Sequence, residues 1–148
     1  MYQNILIATD GSELASKAVT HGVALAKQLN VPVTMVTVTE GWSALELSHM
    51  ARQGAKNPIF QFEEMAATAA SNILHKAKQI ADSQGVSCDT IHIQDQHPAE
   101  GIITAARVKS CDLIVMASHG RRGLDRVLLG SQANEVLTHS TVPALIVR

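Results

Sequence analysis

The chain has 148 residues, 46% of them hydrophobic and 17% charged, with a formal net charge of −1. Those values describe one globular domain with a full core and exclude a disordered chain. The near-neutral charge and 3% aromatic content leave neither an electrostatic footprint nor stacking platforms for nucleic acid.

The first element is an apolar run over residues 5–9 that ends at Asp10-Gly11-Ser12, a strand followed by a turn. Ser12 suits a helix cap and Glu13 a first turn. Ala15, Ala18, Val19, Val23, Ala26 and Leu29 then recur at helical spacing and predict an amphipathic helix over 13–29, ended by Asn30. Residues 31–38, rich in valine and threonine, read as a second buried strand. Residues 39–59 are irregular, with a short helix near 44–53 and with Gly54 and Pro58 as punctuation. A connection of this length is usually functional, so residues 39–58 are expected to be mobile and to lid part of a site near Trp42.

Met65, Ala66, Ala69, Ile73, Ala77 and Ile80 predict a helix over 62–83, stopped by Gly85. Residues 88–94 form a third strand, and Pro98 opens a helix to about 109 with Ile102, Ile103 and Ala106 inward. Residues 112–117 and 142–147 are the fourth and fifth strands, with a helix over 132–138 between them. Alternation of this kind gives an α/β fold: a single doubly wound domain over 1–148, its five-stranded parallel sheet in the order 3-2-1-4-5 with helices on both faces. Cys88 and Cys111 then start strands three steps apart, roughly 14 Å, too far for a disulfide. The start carries no leader pattern and no apolar run approaches a membrane span, so the expectation is a soluble cytoplasmic protein with no membrane partner.

The chemistry gathers where the fourth strand runs into Ser118-His119-Gly120-Arg121-Arg122-Gly123 and on to Gly130-Ser131. Ser131 can cap the following helix, with Gly130 letting backbone approach closely. Such a helix start holds anions through its N–H groups; the alternative is an ordinary βα loop whose glycines serve only backbone conformation. In a sheet of this order ligands bind at the carboxyl ends of the strands flanking the switch point, here Ala8-Thr9-Asp10 and Met116-Ala117-Ser118. Asp10 can accept from ribose hydroxyls or carry a metal, or can merely cap its turn. Arg121 and Arg122 can add charge to a phosphate site, or form a solvated loop face. His119 can act as general base or phosphate donor, or be an ordinary loop histidine. Val38, ending the second strand, offers backbone groups to a base edge.

The opening Asn4-Ile5-Leu6-Ile7-Ala8-Thr9-Asp10-Gly11-Ser12, the run Asp112 to Gly120, then Leu128-Leu129-Gly130-Ser131 and Val142 to Val147 together resemble the universal stress proteins. The nucleotide-binding members carry a Gly-x2-Gly-x9-Gly-Ser/Thr signature. Gly120, Gly130 and Ser131 match its later positions, while Ala117 replaces the first glycine, where its methyl is expected to crowd a ribose or α-phosphate. The resemblance implies a homodimer that binds ATP or AMP, with Mg2+. Taken with the reading of the loops, it puts the expected nucleotide site on Ala8, Thr9, Asp10, Val38, Met116, Ala117, His119, Gly120, Arg121, Arg122, Gly130, Ser131 and Gln132, with the resemblance itself implying Ala8, Asp10, Val38, Met116 and the signature positions.

Other chemistries lack their motifs. The chain has no G-x-x-x-x-G-K-[ST], no G-x-G-x-x-G opening the first helix, and no histidine spacing for zinc. Two readings remain: a nucleotide-binding regulatory module with at most slow ATP hydrolysis, and a nucleotide-free homodimeric interaction protein. Both leave the protein partner unnamed. The uncharged fifth strand, carrying Pro143, suits a sheet edge covered by a second copy.

Overall fold

A computed structural model of the chain describes residues 1–120 and 128–148. The strands are β1 (Ile5–Ala8), β2 (Val33–Thr39), β3 (Cys88–Gln94), β4 (Leu113–Ala117) and β5 (Ala144–Val147). The helices are α1 (Glu13–Leu29), α2 (Ala44–Arg52), α3 (Pro58–Ser83), α4 (Pro98–Val108) and α5 (Ser131–His139). All strand pairs are parallel and the order is β3-β2-β1-β4-β5, as the alternation predicts.

Local chemistry sets the element ends. Ser12 Oγ accepts from the Ala15 N–H, and Asn30 closes α1 in the left-handed conformation at φ 56°. Four residues separate the expected start of the third helix from the observed one. Pro58 is its first residue rather than a breaker, because Asn57 caps it and a first helical position needs no N–H. Ser131 likewise is the first residue of α5; Gly130 is the cap, and no side chain serves there. β5 begins only at Ala144, since Pro143 has no N–H to pair, although its carbonyl accepts from Ile114. Asp112 lies outside β4 because its carboxylate accepts from the Gln3 and Asn4 N–H groups, tying down the chain start.

Alternate strand residues feed two apolar layers. Ile5, Ile7, Leu113, Val115 and Ala117 pack with α1 and α3. Leu6, Ala8, Val36, Ile114 and Met116 pack with α4 and α5. Burying a side chain such as Ile5, Leu6 or Ile7 stabilises the fold by about 1.5–3 kcal/mol. Cys88 belongs with the first layer and Cys111 with the second, so both thiols are free and on opposite sides of the sheet. α2 and the start of α3 contribute nothing to either layer; the buried residues of α3 begin at Ala70.

Gly101 brings α4 against the end of β2. A β-carbon there would stand 2.6 Å from both γ-carbons of Val38. Val38 is branched and held in the sheet, so it has little room to yield. Gly101→Ala should therefore lower unfolding free energy by about 1–3 kcal/mol, read as a lower urea midpoint at unchanged slope.

Candidate functional site

The strand order reverses around β1, whose end meets β2 on one side and β4 on the other. β1 stops at Ala8, paired with Val36, whereas β2 runs on to Thr39. Val38 thus lies beyond the pairing register of β1, with its backbone beside the switch point. Ala8, Met116 and Val38 share the α4/α5 face and can line one pocket. Ala117 does not join them: it packs with Val115 and Val147 on the α1/α3 face. Its methyl points away from the pocket it was expected to crowd.

Asp10 does two things at the tip of β1. Its Oδ1 accepts from the Ser12 N–H at 2.9 Å, the turn-capping role. Its Oδ2 faces Gly120, where a β-carbon would come within 2.9 Å of it. The first βα turn and the glycine loop after β4 therefore touch through a carboxylate. Thr9 is buried and local: its N–H donates to Val36 O, and its hydroxyl accepts from Gly11 N–H.

Ser118, not singled out from the sequence, is the junction of the second loop. Its N–H donates to Val147 O and its carbonyl accepts from Gly130 N–H, both at 2.8 Å. Its hydroxyl lies 3.1 Å from His119 Nδ1. A β-carbon on Gly130 would stand 2.5 Å from Ser118 O and 3.3 Å from His119 Cα, so the loop closes only over glycine. Ser131 opens α5 beside it, with its hydroxyl and the first-turn N–H groups at an anion-favouring helix end. Gln132 sits in the same turn, but its Oε1 accepts from Ala99 N–H at 2.9 Å and caps α4, which His97 leaves without a side-chain cap. Arg121 and Arg122 lie outside the described residues. No group of three His, Cys, Asp or Glu side chains that could hold a metal occurs among the described residues.

A polar clasp, also missed from the sequence, binds the exit of β2 to the β3–α4 loop. Asp95 N–H donates to Thr39 O, Thr39 Oγ1 and His92 Nε2 lie 2.7 Å apart, and Gly41 packs on the Asp95 carboxylate. His97 Nδ1 and Glu40 Oε1 are 3.0 Å apart. The Glu40 hydrogen bond and charge, aided by Glu100 and Glu135, push the His97 imidazole up. Burial pulls His92 down. The only signal for the clasp was Pro98, which puts His97 at a helix cap.

The profile of the universal stress protein family matches residues 1–148. The chain is 32% identical over 151 residues to the universal stress protein YxiE of Bacillus subtilis, covering 100% of each. It is 31% identical over 148 residues to the universal stress protein MJ0531 of Methanocaldococcus jannaschii, covering 100% of this chain and 83% of that one. Among solved structures, hypothetical protein MJ0577 superposes with a TM-score of 0.80 at 27% identity, over 99% of this chain and 96% of the other. A universal stress protein in complex with cAMP superposes with a TM-score of 0.73 at 23% identity, over 99% and 97%. One from Archaeoglobus fulgidus in complex with dAMP gives 0.70 at 19%, over 99% and 98%.

The two histidines are shifted in opposite directions, His97 up by its Glu40 partner and His92 down by burial. A raised His97 value means the bridge to Glu40 is fully present below the ordinary value of 6.5 and is lost as pH rises through the folded-state value. A lowered His92 value means its contribution is present above 6.5 and is lost as pH falls. Histidine-resolved NMR titration should find His97 above and His92 below the ordinary value. Glu40→Gln should bring His97 down and leave His92 in place.

Proposed function

Because the chain belongs to the universal stress protein family, we propose that it binds an adenine nucleotide at the carboxyl ends of β1 and β4. It acts in the cytoplasm as a stress-response regulatory module, with ATP hydrolysis at most slow. The observation that carries this reading is the meeting of Asp10 with Gly120 beside the α5 start. A carboxylate suited to ribose hydroxyls and a helix end suited to phosphate stand on either side of one glycine loop. Two proteins of this fold are solved with cAMP and dAMP, so the fold accommodates an adenine nucleotide.

In this reading the adenine edge meets the Val38 backbone, and Ala8 and Met116 form the apolar wall. Asp10 holds the ribose, and Gly120, Gly130, Ser131 and His119 face the phosphates, with Arg121 and Arg122 adding charge from the same loop. Mg2+ would enter on the phosphates, since the described residues offer it no cluster of their own. Ala117 is compatible with binding, because its methyl lies on the other face of β4.

We also propose a twofold homodimer through β5. The opposite edge, β3, is polar, with Asp89 held by Lys109 and with His92 on it. The β5 edge is Ala144, Leu145, Ile146 and Val147, with Leu145 40% exposed. An uncharged edge of this kind needs a cover. Leu145→Lys should convert the sedimenting species from dimer to monomer while leaving the circular dichroism spectrum unchanged.

Isothermal titration with ATP, AMP and adenosine tests the nucleotide. Asp10→Asn should weaken all three alike by about 1–2 kcal/mol, because the loss is at the ribose. Ser131→Ala should weaken ATP and AMP by about 1 kcal/mol and spare adenosine. Ala117→Gly should leave affinity unchanged and cost about 0.5–1 kcal/mol of stability from backbone freedom. No heat from any of the three at millimolar concentration would overturn the nucleotide reading in favour of a nucleotide-free interaction protein.

A further inference from the structure

Ser118 is buried, 5% exposed, and both of its backbone polar groups are fixed, the N–H on β5 and the carbonyl on the cap of α5. Its hydroxyl lies 3.1 Å from His119 Nδ1. Among the described residues that is the hydroxyl's one partner. Two arrangements fit the distance. If Nδ1 carried the proton, the serine oxygen would accept it and the serine O–H would be a buried donor with nowhere to go. If Nδ1 is bare, the O–H donates to it and only acceptor capacity is left over. An orphaned buried donor costs more than an unfilled lone pair. The second arrangement wins, and it puts the neutral imidazole proton on Nε2.

The position of the ring gives that proton a direction. His119 Cδ2, the carbon bonded to Nε2, lies 3.4 Å from where a Gly130 β-carbon would be. Gly130 is the cap of α5, so the Cδ2 side of the ring stands beside the residue that opens that helix. There the ring N–H would join the backbone N–H groups of Ser131 and the residues after it, all donors aimed at an anion.

We propose that Ser118 is a positioning residue that fixes His119 as an Nε2–H hydrogen-bond donor toward the phosphates of the bound nucleotide. The inference rests on the nucleotide reading for its ligand, but not for the state of the imidazole. Ser118 does not touch the nucleotide; it acts through His119.

The first measurement needs no variant and no ligand. A long-range 1H–15N correlation spectrum of side-chain-labelled wild-type protein at alkaline pH should show His119 as the Nε2–H tautomer alone, its Nδ1 resonance shifted as a hydrogen-bond acceptor. An Nδ1–H tautomer overturns the proposal outright. The second measurement is nucleotide titration. Ser118→Ala should weaken ATP and AMP by about three- to tenfold, the scale of one hydrogen bond, with adenosine unchanged. Ser118→Thr should restore the affinity, and Ser118→Ala should add nothing in a His119→Ala background. A full loss in that background shows that Ser118 acts otherwise and overturns the proposal. If the tautomer is as stated and the wild type binds no nucleotide, the phosphate role falls together with the proposed function, while the Ser118–His119 arrangement stands on its spectrum.

Discussion

The approach of Gly130 to Ser118 is the constraint on which the candidate site depends. The Gly130 N–H meets Ser118 O at 2.8 Å, and no β-carbon fits between them. That bond sets the start of α5 beside the end of β4. Ser118 N–H on Val147 O extends the same tie to β5. The start of α5, the end of β4 and the end of β5 are thus one assembly joined at a serine. The glycine is required here by packing rather than by φ, which is an ordinary −60°. Its place in the fold has one cause: backbone must come close to backbone before α5 can start beside β4.

Alternation along the strands decides which side chains can share that ligand. In a parallel sheet covered on both faces, neighbouring residues of one strand belong to different layers. Met116 and Ala117 are adjacent in sequence and separated by the whole sheet in space. A signature position read along the chain therefore does not tell which residues surround a ligand. The loss of the first signature glycine looks serious in the sequence. In the structure it adds a methyl to the α1/α3 core and nothing to the pocket side.

The sheet order, the five strands and the bodies of the helices were legible because each rests on a strong periodic signal or an apolar run. Reading failed where side-chain hydrogen bonds outvote the pattern. The hydrophobic stripe of α3 starts late, yet the helix begins at Pro58 because Asn57 caps it. At 26 residues it spans roughly 39 Å. Its buried residues begin only at Ala70, so capping and packing against α2 must hold the earlier turns. α2, the short helix expected near 44–53, is held in the same way by the reciprocal Ser43–Glu46 box. In the site, Asp10, Gly120 and Gly130 were legible from motif and switch point together. Ser118 was not, because its importance lies in three hydrogen bonds to residues distant in sequence or hidden by a rotamer.

The residues around the site mostly have structural partners already. Asp10 caps its own turn, Thr9 braces the same turn, Gln132 caps α4, and Ser118 ties three elements. Such bonds do not argue against binding. A ligand site on loops is useful only if the loops are held, and each ordered side chain is one whose entropy is not lost again when the ligand arrives. What distinguishes the residues proposed to serve a ligand is their position at the switch point. Asp10 turns its second carboxylate oxygen toward Gly120, and α5 opens with no side-chain cap among the described residues. Gln132 has its acceptor turned toward α4 and holds the helix rather than the anion. The loops at the switch point are thus held by the fold before any ligand arrives.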